Sequence, residues 1–418
     1  MTESAVSPAG TDPGRRHISR RFWLLWGAES VSLFGTQVTL IAVPLVAVQQ
    51  LQASGFMMGL LSAVGWLPVA LLGLFVGAYV DRGRPIRIMT TANLVRLVVI
   101  SLIPLAHATG SLNIGVLLVV AFVVGIGAVF FDVSYQTYLP QTVPEDALAT
   151  ANSRLELSRS VAQLLGPAVG GLLIAALSAP TALLIDAASF GVGVLLLAPL
   201  WRTRAGGPAV KRNNRALLAS VREGIGFIRT NANITAVIVA ASASNLFISG
   251  AMALQVLLAI KLLDMSPQQL GAVLAAEGVA ALAAAAAAPR LTRHIGEGGV
   301  VFASFCLMAA GAMLLFVAPA YGGLAMFAGS QLCFGLSGPL INITLVTMRQ
   351  RLTPPELLGR VNAAARVAIM CTLPVGSVVF GALASAIGVR QTFLVVAVGL
   401  LIVALLSRGR IRSVTTTA

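Results

Sequence analysis

Five ionisable residues, Glu29, Arg96, Asp132, Asp186 and Glu277, stand inside long apolar runs of a 418-residue chain. A charge in lipid costs roughly 3 kcal/mol or more unless it is paired, protonated or facing water. Glu29, Glu277 and Asp132 are therefore candidate proton carriers, because a carboxylate's proton affinity responds to both desolvation and nearby cations. Arg96 is their candidate buried charge partner. The apolar runs also hold five amides, Gln37, Asn245, Gln255, Gln331 and Asn342. Together with Glu29 and Glu277 they form the candidate substrate-binding set, and each amide is equally suited to tying one helix to another. Asp186 lies nearer a span end and has a local structural reading.

Other chemistry is absent from the sequence. His17, His107 and His294 are scattered and outside the apolar runs, so no metal centre is indicated. No phosphate-binding G-x-x-x-x-G-K-[ST] loop occurs, and no nucleophile-and-base constellation stands out, which argues against ATP drive from this chain and against an enzyme. Cys306, Cys333 and Cys371 fall within apolar runs and give no disulfide framework.

The elements that must hold these residues are membrane spans. At 57% hydrophobic and 10% charged residues, with mean hydropathy +0.92, the chain is excluded from the water-soluble globular class. Spans of about 20 apolar residues are expected at 22–47, 56–80, 88–106, 112–137, 155–177, 180–201, 233–260, 267–289, 299–318, 321–347, 362–387 and 390–407. Of the 28 Lys and Arg, only Lys261, Arg390 and the intraspan Arg96 depart from one set of alternate connections. That asymmetry predicts both termini in the cytoplasm. The net charge of +14 is thus membrane topology and not a nucleic-acid footprint. At 1.5 Å per residue, Glu29, Arg96 and Asp132 would lie roughly 8 to 12 Å deep and could meet.

The two halves repeat. Pro144-Glu145-Asp146-Ala147-Leu148, with Asn152 and Gly166, returns 210 residues later as Pro354-Pro355-Glu356-Leu357-Leu358 with Asn362 and Gly376, and Gly171 maps to Gly381. Ser54 and Gly59 return 212 residues later as Ser266 and Gly271. A six-span unit duplicated in one orientation is the signature of a two-bundle transporter whose site lies between the halves.

Several motifs carry a resemblance to a known family. Gly77-Ala78-Tyr79-Val80-Asp81-Arg82 resembles the G-x-x-x-D-R loop of the major facilitator superfamily, and Gly166-Pro167-Ala168-Val169-Gly170-Gly171 resembles the antiporter motif of its drug:proton exporters. Gly27-Ala28-Glu29-Ser30, Phe130-Phe131-Asp132-Val133 and Leu358-Gly359-Arg360-Val361-Asn362 are similar to the branch of enterobactin exporters and macrolide-efflux proteins. The resemblance covers about residues 20–407.

It implies an all-α fold of 12 transmembrane helices in two pseudo-symmetric six-helix bundles. It also implies a conformational latch of Gly77, Asp81, Arg82, Arg84 and Asp132, in which Asp81 faces the N-terminus of the eleventh span and a loop arginine pairs with Asp132. Pro85 occupies the position of the family's second arginine, leaving Arg84 or Arg87 to substitute. Gly166, Pro167, Gly170 and Gly171 make the fifth span a kinked, close-packing helix.

The expected organisation is a cytoplasmic tail (1–21), a first bundle (22–201), a cytoplasmic central loop (202–232), a second bundle (233–407) and a cytoplasmic tail (408–418). The expected function is secondary efflux of a hydrophobic or amphipathic small molecule in exchange for protons. It would run in a bacterial cytoplasmic membrane as a monomer, with the proton gradient as energy source, no cofactor and no obligatory protein partner. A proton-coupled importer of a nutrient or siderophore, and a non-transporting scaffold or sensor, are the alternatives.

Overall fold

The computed structural model describes residues 19–73, 75–80, 83–201 and 214–416, and among these no strand occurs. Backbone groups in lipid have no water to bond, so each apolar run closes its hydrogen bonds internally as a helix. The helices are α1 (Arg20–Gln49), α2 (Gly55–Leu72), α3 (Val76–Val80), α4 (Pro85–Ala108), α5 (Ile114–Tyr138), α6 (Leu148–Leu177) and α7 (Ala179–Leu197) in the first half. A connecting helix α8 (Asn214–Thr230) precedes α9 (Ala232–Lys261), α10 (Pro267–Val317), α11 (Gly323–Leu352), α12 (Leu358–Ile387) and α13 (Val389–Thr416). Side chains of Ser19, Ser54, Asn113, Asn231 and Ser266 accept from first-turn backbone N–H groups of α1, α2, α5, α9 and α10, which satisfies donors a helix cannot satisfy itself.

Eleven helices among the described residues are long and apolar enough to cross a bilayer. The 51-residue α10 is about 76 Å long by helical rise, more than twice the hydrocarbon thickness of about 30 Å. It turns at Gly296, whose φ of 71° and ψ of 166° leave the helical region. α10 thus supplies two crossings, giving the twelve spans read from the sequence. The second span departs from expectation: α2 ends at Leu72 and the chain resumes as the short α3. The connection between the halves also carries a helix, α8, where a loop was expected. Its apolar Val221, Ile225 and Ile228 recur at helical spacing among Arg222, Glu223 and Arg229, which is an amphipathic pattern rather than a spanning one.

Within the first half α1 packs on α6 and α7, and α4 packs on α5 and α7. In the second, α10 packs on α11 and α13, and α9 packs on α12 and α13. The halves meet along α2–α12 and α6–α10. Both seams are made by glycines. A Cβ on Gly59 would lie 2.7 Å from the Cα of Gly381, and one on Gly271 would lie 2.9 Å from the Cα of Gly171. Bonds reinforce them: Ser62 Oγ and Ser377 Oγ are 3.0 Å apart, Phe56 N donates to Ser385 Oγ at 2.7 Å, and Lys261 Nζ to the Ala53 carbonyl at 3.5 Å. Helix order puts all of these toward the membrane face opposite the one where α1 begins. Among the described residues no such bond joins the halves at the face where α1 begins.

Candidate functional site

In the first half, Asn93 and Arg96 share a face of α4 by their three-residue spacing, and both are buried. Gly127 of α5 makes the room, since a Cβ there would lie 2.6 Å from Arg96 Cγ. The guanidinium rests 4.0 Å from the centroid of the Phe190 ring on α7, a cation–π arrangement. Among the described residues, Arg96 Nε and both amide atoms of Asn93 have no hydrogen-bond partner. Glu29 on α1 is 7% exposed, whereas Asp132 on α5 is exposed.

The expected meeting of Glu29, Arg96 and Asp132 as a contact cluster does not occur: among the described residues none of them forms an ion pair within 4.0 Å. They sit on three different helices with no bond between their side chains among the described residues, so each acts on the others through its field. The charges reaching Glu29 are those of Asp132, Arg159 and Arg96. Those reaching Asp132 are Arg96, Arg159 and, from α12 of the other half, Arg366.

Asp186 has the local role expected. Its carboxylate accepts from Thr39 Oγ1 at 2.5 Å and Ser189 Oγ at 3.0 Å, tying α7 to α1. Gly35 permits the approach, because a Cβ there would lie 2.5 Å from Asp186 Oδ1.

In the second half three sequence candidates converge. Gln331 Nε2 on α11 donates to Gln255 Oε1 on α9 at 3.2 Å and to Glu277 Oε2 on α10 at 3.3 Å, while Ser330 Oγ donates to Gln331 Oε1 at 3.4 Å. Gln331 is fully buried and Gln255 nearly so, whereas Glu277 is half-buried. Gly335 of α11 lets α10 approach, since a Cβ there would lie 2.3 Å from the Glu277 carbonyl. On the other flank Gly278 faces α6, where its Cβ would be 3.1 Å from Leu164 Cα. Glu277 therefore stands beside the α6–α10 seam, about 9 Å along α10 from Gly271.

The remaining amides lie elsewhere. Asn245 Nδ2 donates to the Ile369 carbonyl at 3.4 Å, a helix-to-helix tie, and Asn342 is exposed. Gln37 lies against Gly166, where a Cβ would come 2.4 Å from Gln37 Cγ. The Gly/Pro motif of α6 thus serves three contacts: Gly166 receives Gln37, Gly170 packs on Val38, and the Pro167 carbonyl and Gly171 meet Gly271.

Asp81 and Arg82 of the expected latch lie outside the described residues. Gly77 is in α3, Arg84 is exposed, and the Arg87 guanidinium sits 5.7 Å from the Trp201 ring centroid. The expected pairing of Arg84 or Arg87 with Asp132 is absent among the described residues, although the field of Arg366, from the other half, reaches Asp132. Beside the local Glu156–Arg159 pair on α6, two long-range ion pairs were missed by sequence reasoning. Arg351 on α11 donates to Glu297 at 2.7 Å, just past the Gly296 turn of α10, and Arg360 of α12 pairs with Glu223 of α8. The first partners are 54 residues apart and the second 137, so no local spacing announces them.

Twelve crossings in two pseudo-symmetric halves, joined at glycine seams and carrying acids within the membrane, define a multi-pass membrane transporter of the major facilitator fold rather than an enzyme. The chain belongs to the family described as transmembrane secretion effector, a branch of the major facilitator superfamily, which residues 13–416 match. It is 27% identical over 381 residues to the multidrug efflux pump Tap of Mycolicibacterium fortuitum, covering 88% of this chain and 90% of that protein. It is 21% identical over 374 residues to macrolide efflux protein A of Streptococcus pyogenes, covering 90% and 92%. Among solved structures, a point mutant of the nucleoside transporter NupG superposes with a TM-score of 0.78 at 11% identity, covering 93% of this chain and 99% of that one. A bacterial homologue of the iron transporter ferroportin in an inward-facing state gives 0.73 at 15% identity, covering 94% and 98%.

Proposed function

We propose that the protein is a proton-driven exporter of a hydrophobic or amphipathic small molecule, working by rocking of its two halves. The observation that carries the reading is that each half holds a carboxylate within the membrane, Glu29 in one and Glu277 in the other, while the halves are bonded together at one face. The efflux pumps among its relatives support export over import. The Lys and Arg distribution supports termini on the cytoplasmic side of a bacterial membrane, so the bonded seams close the outside and the site receives solutes from within. In this reading residues 22–201 and 233–407 are the moving bundles, 202–232 connect them, and 1–21 and 408–418 are cytoplasmic tails. Protons arriving from outside neutralise an acid of the set Glu29, Asp132 and Glu277, and their loss to the cytoplasm resets the cycle. Gly77, Asp81, Arg82, Arg84 and Asp132 form the latch of the opposite, outward-open state.

The test is proton flux in proteoliposomes under an imposed pH gradient, with macrolides, other lipophilic antibiotics and siderophores as candidate substrates. Substrate-triggered proton movement that disappears in Glu29→Gln or Glu277→Gln is expected. Substrate flux that is independent of the pH gradient in the wild type, and unchanged in both variants, would remove proton exchange from the reading.

A further inference from the structure

The acids of the two halves have different company. Glu29 lies within the fields of a second acid, Asp132, and of two resident cations, Arg159 and Arg96. Around Glu277, among the described residues, stand amides and no cation: no ion pair within 4.0 Å, and hydrogen-bond contact only with Gln331, itself held by Gln255 and Ser330. An amide donor fixes one carboxylate oxygen and leaves the other free to accept. A carboxylate oriented by a neutral donor in a low-dielectric seam gains most from a cation brought to it. Of the three linked residues Gln331 and Gln255 are buried, and Glu277 is the one that keeps partial exposure. Its depth agrees: Glu277 is about 15 Å from the start of α10, beyond the Gly171–Gly271 seam and therefore on the unsealed side of it.

We propose that Glu277, oriented by Gln331 and Gln255, is the subsite that receives the positive charge of the transported molecule, so that the substrates are lipophilic monocations such as protonated amines. The transport consequence rests on the exporter reading; the binding consequence does not. Glu277 supplies the counter-charge, and the amide pair prevents it from swinging toward lipid or toward another helix. Neutral and anionic molecules of the same size gain nothing from this arrangement.

The test is equilibrium binding to purified protein in lipid nanodiscs with no gradient. The probes are tetraphenylphosphonium and tetraphenylborate, which share shape and differ in sign. Saturable binding of the cation alone is expected, weakened about tenfold or more in Glu277→Gln, weakened less in Gln331→Leu, and unchanged in Asp264→Asn, an exposed acid of the α9–α10 loop. In the wild type, tetraphenylphosphonium should protect Glu277 from modification by dicyclohexylcarbodiimide, read by peptide mass, which needs no variant to fold. Equal binding in wild type and Glu277→Gln, saturable binding of tetraphenylborate with the same affinity, or no protection of Glu277 would overturn the proposal. Cation binding lost in Glu277→Gln alongside proton-independent transport in wild type keeps this subsite and removes the proton-exchange reading. Proton-coupled flux of a neutral substrate with no role for Glu277 does the reverse.

Discussion

The α6–α10 seam offers the most direct test of the conformational argument. In Gly271→Ala the new Cβ would stand 2.4 Å from the Pro167 carbonyl oxygen and 2.9 Å from Gly171 Cα, where carbon contacts settle at about 3.5–4.0 Å. Both neighbours are backbone atoms of α6, so no side chain can swing aside and the helices must part by about 1 Å. Overpacking of this kind costs about 1–3 kcal/mol, charged only to the state in which the seam is closed. The gain in helix propensity from Gly to Ala is common to both states and cancels. An equilibrium shift of about 5- to 150-fold toward the state open at this face follows. Spin labels at Ser111 in the α4–α5 loop and Tyr321 in the α10–α11 loop, with Cys306, Cys333 and Cys371 replaced by alanine, would report it as a longer-distance population. Gly171→Ala should act alike, since its Cβ would lie 2.5 Å from the Pro267 carbonyl. The double variant should add less than the sum, because one separation relieves both clashes. An unchanged distance distribution in both single variants would refute the seam as a gate.

Other consequences can be measured as stability in detergent. Ser178, between α6 and α7, has φ 79° and ψ 156°, a region natural only to glycine, and its repeat partner Gly388 has φ 92° and ψ 153°. Ser178→Gly should therefore stabilise by about 1 kcal/mol; a lower melting temperature would mean that the Ser178–Thr181 hydroxyl contact at 3.0 Å outweighs the strain. Asp186→Asn should cost about 1–2 kcal/mol, since an amide cannot accept from both Thr39 and Ser189 as the carboxylate does, and a cycle with Thr39→Val should show coupling; strict additivity would contradict the tie. Glu297→Gln should cost no more than about 1 kcal/mol, because the Arg351 partner is half-exposed, and high salt should shrink the difference; a salt-independent loss of several times that size would contradict the reading.

How far the sequence goes depends on the range of the interaction concerned. Apolar runs long enough to span, and charges that alternate between connections, are local signals, and the twelve crossings follow from them. The convergence of Gln255, Glu277 and Gln331 was legible as a set of polar residues within spans but not as a site. The bonds linking them cross 54 and 76 residues and depend on the rotation of three helices. Arg96 shows the opposite outcome: its burial was legible and its partner was not, because proximity in depth predicts a carboxylate whereas packing gives it the face of Phe190. The turn at Gly296 was legible as the charged, glycine-bearing stretch 290–298 between two apolar runs, whereas α8 was hidden by a basic composition that reads equally well as loop.

Comparison of the halves separates what builds the machine from what gives it work. Backbone devices recur in register: Gln52 and Asp264 are both left-handed, as are Gly110 and Gly322, and Ser54 and Ser266 cap equivalent helices. The seams recur too, crosswise. Gly59 corresponds to Gly271 and Gly171 to Gly381, yet Gly59 meets Gly381 and Gly171 meets Gly271, as a two-fold axis between the halves requires. The charges do not recur. At the same offsets Glu29 answers to Ala241, Arg96 to Met308, Asp132 to Asn342, Asp186 to Val396, and Glu277 to Gly65. Closing the molecule symmetrically needs the same small residues twice, whereas a buried charge costs about the same wherever it stands and is retained only where it has a task. A duplicated frame with unduplicated acids implies different work in each half: resident cations accompany Glu29 in the first, and amides accompany Glu277 in the second. Transplanting the second arrangement, by placing a glutamate at Gly65, should therefore add a charge without a site, because the counterparts of Gln255 and Gln331, Val43 and Val119, offer it no hydrogen bond.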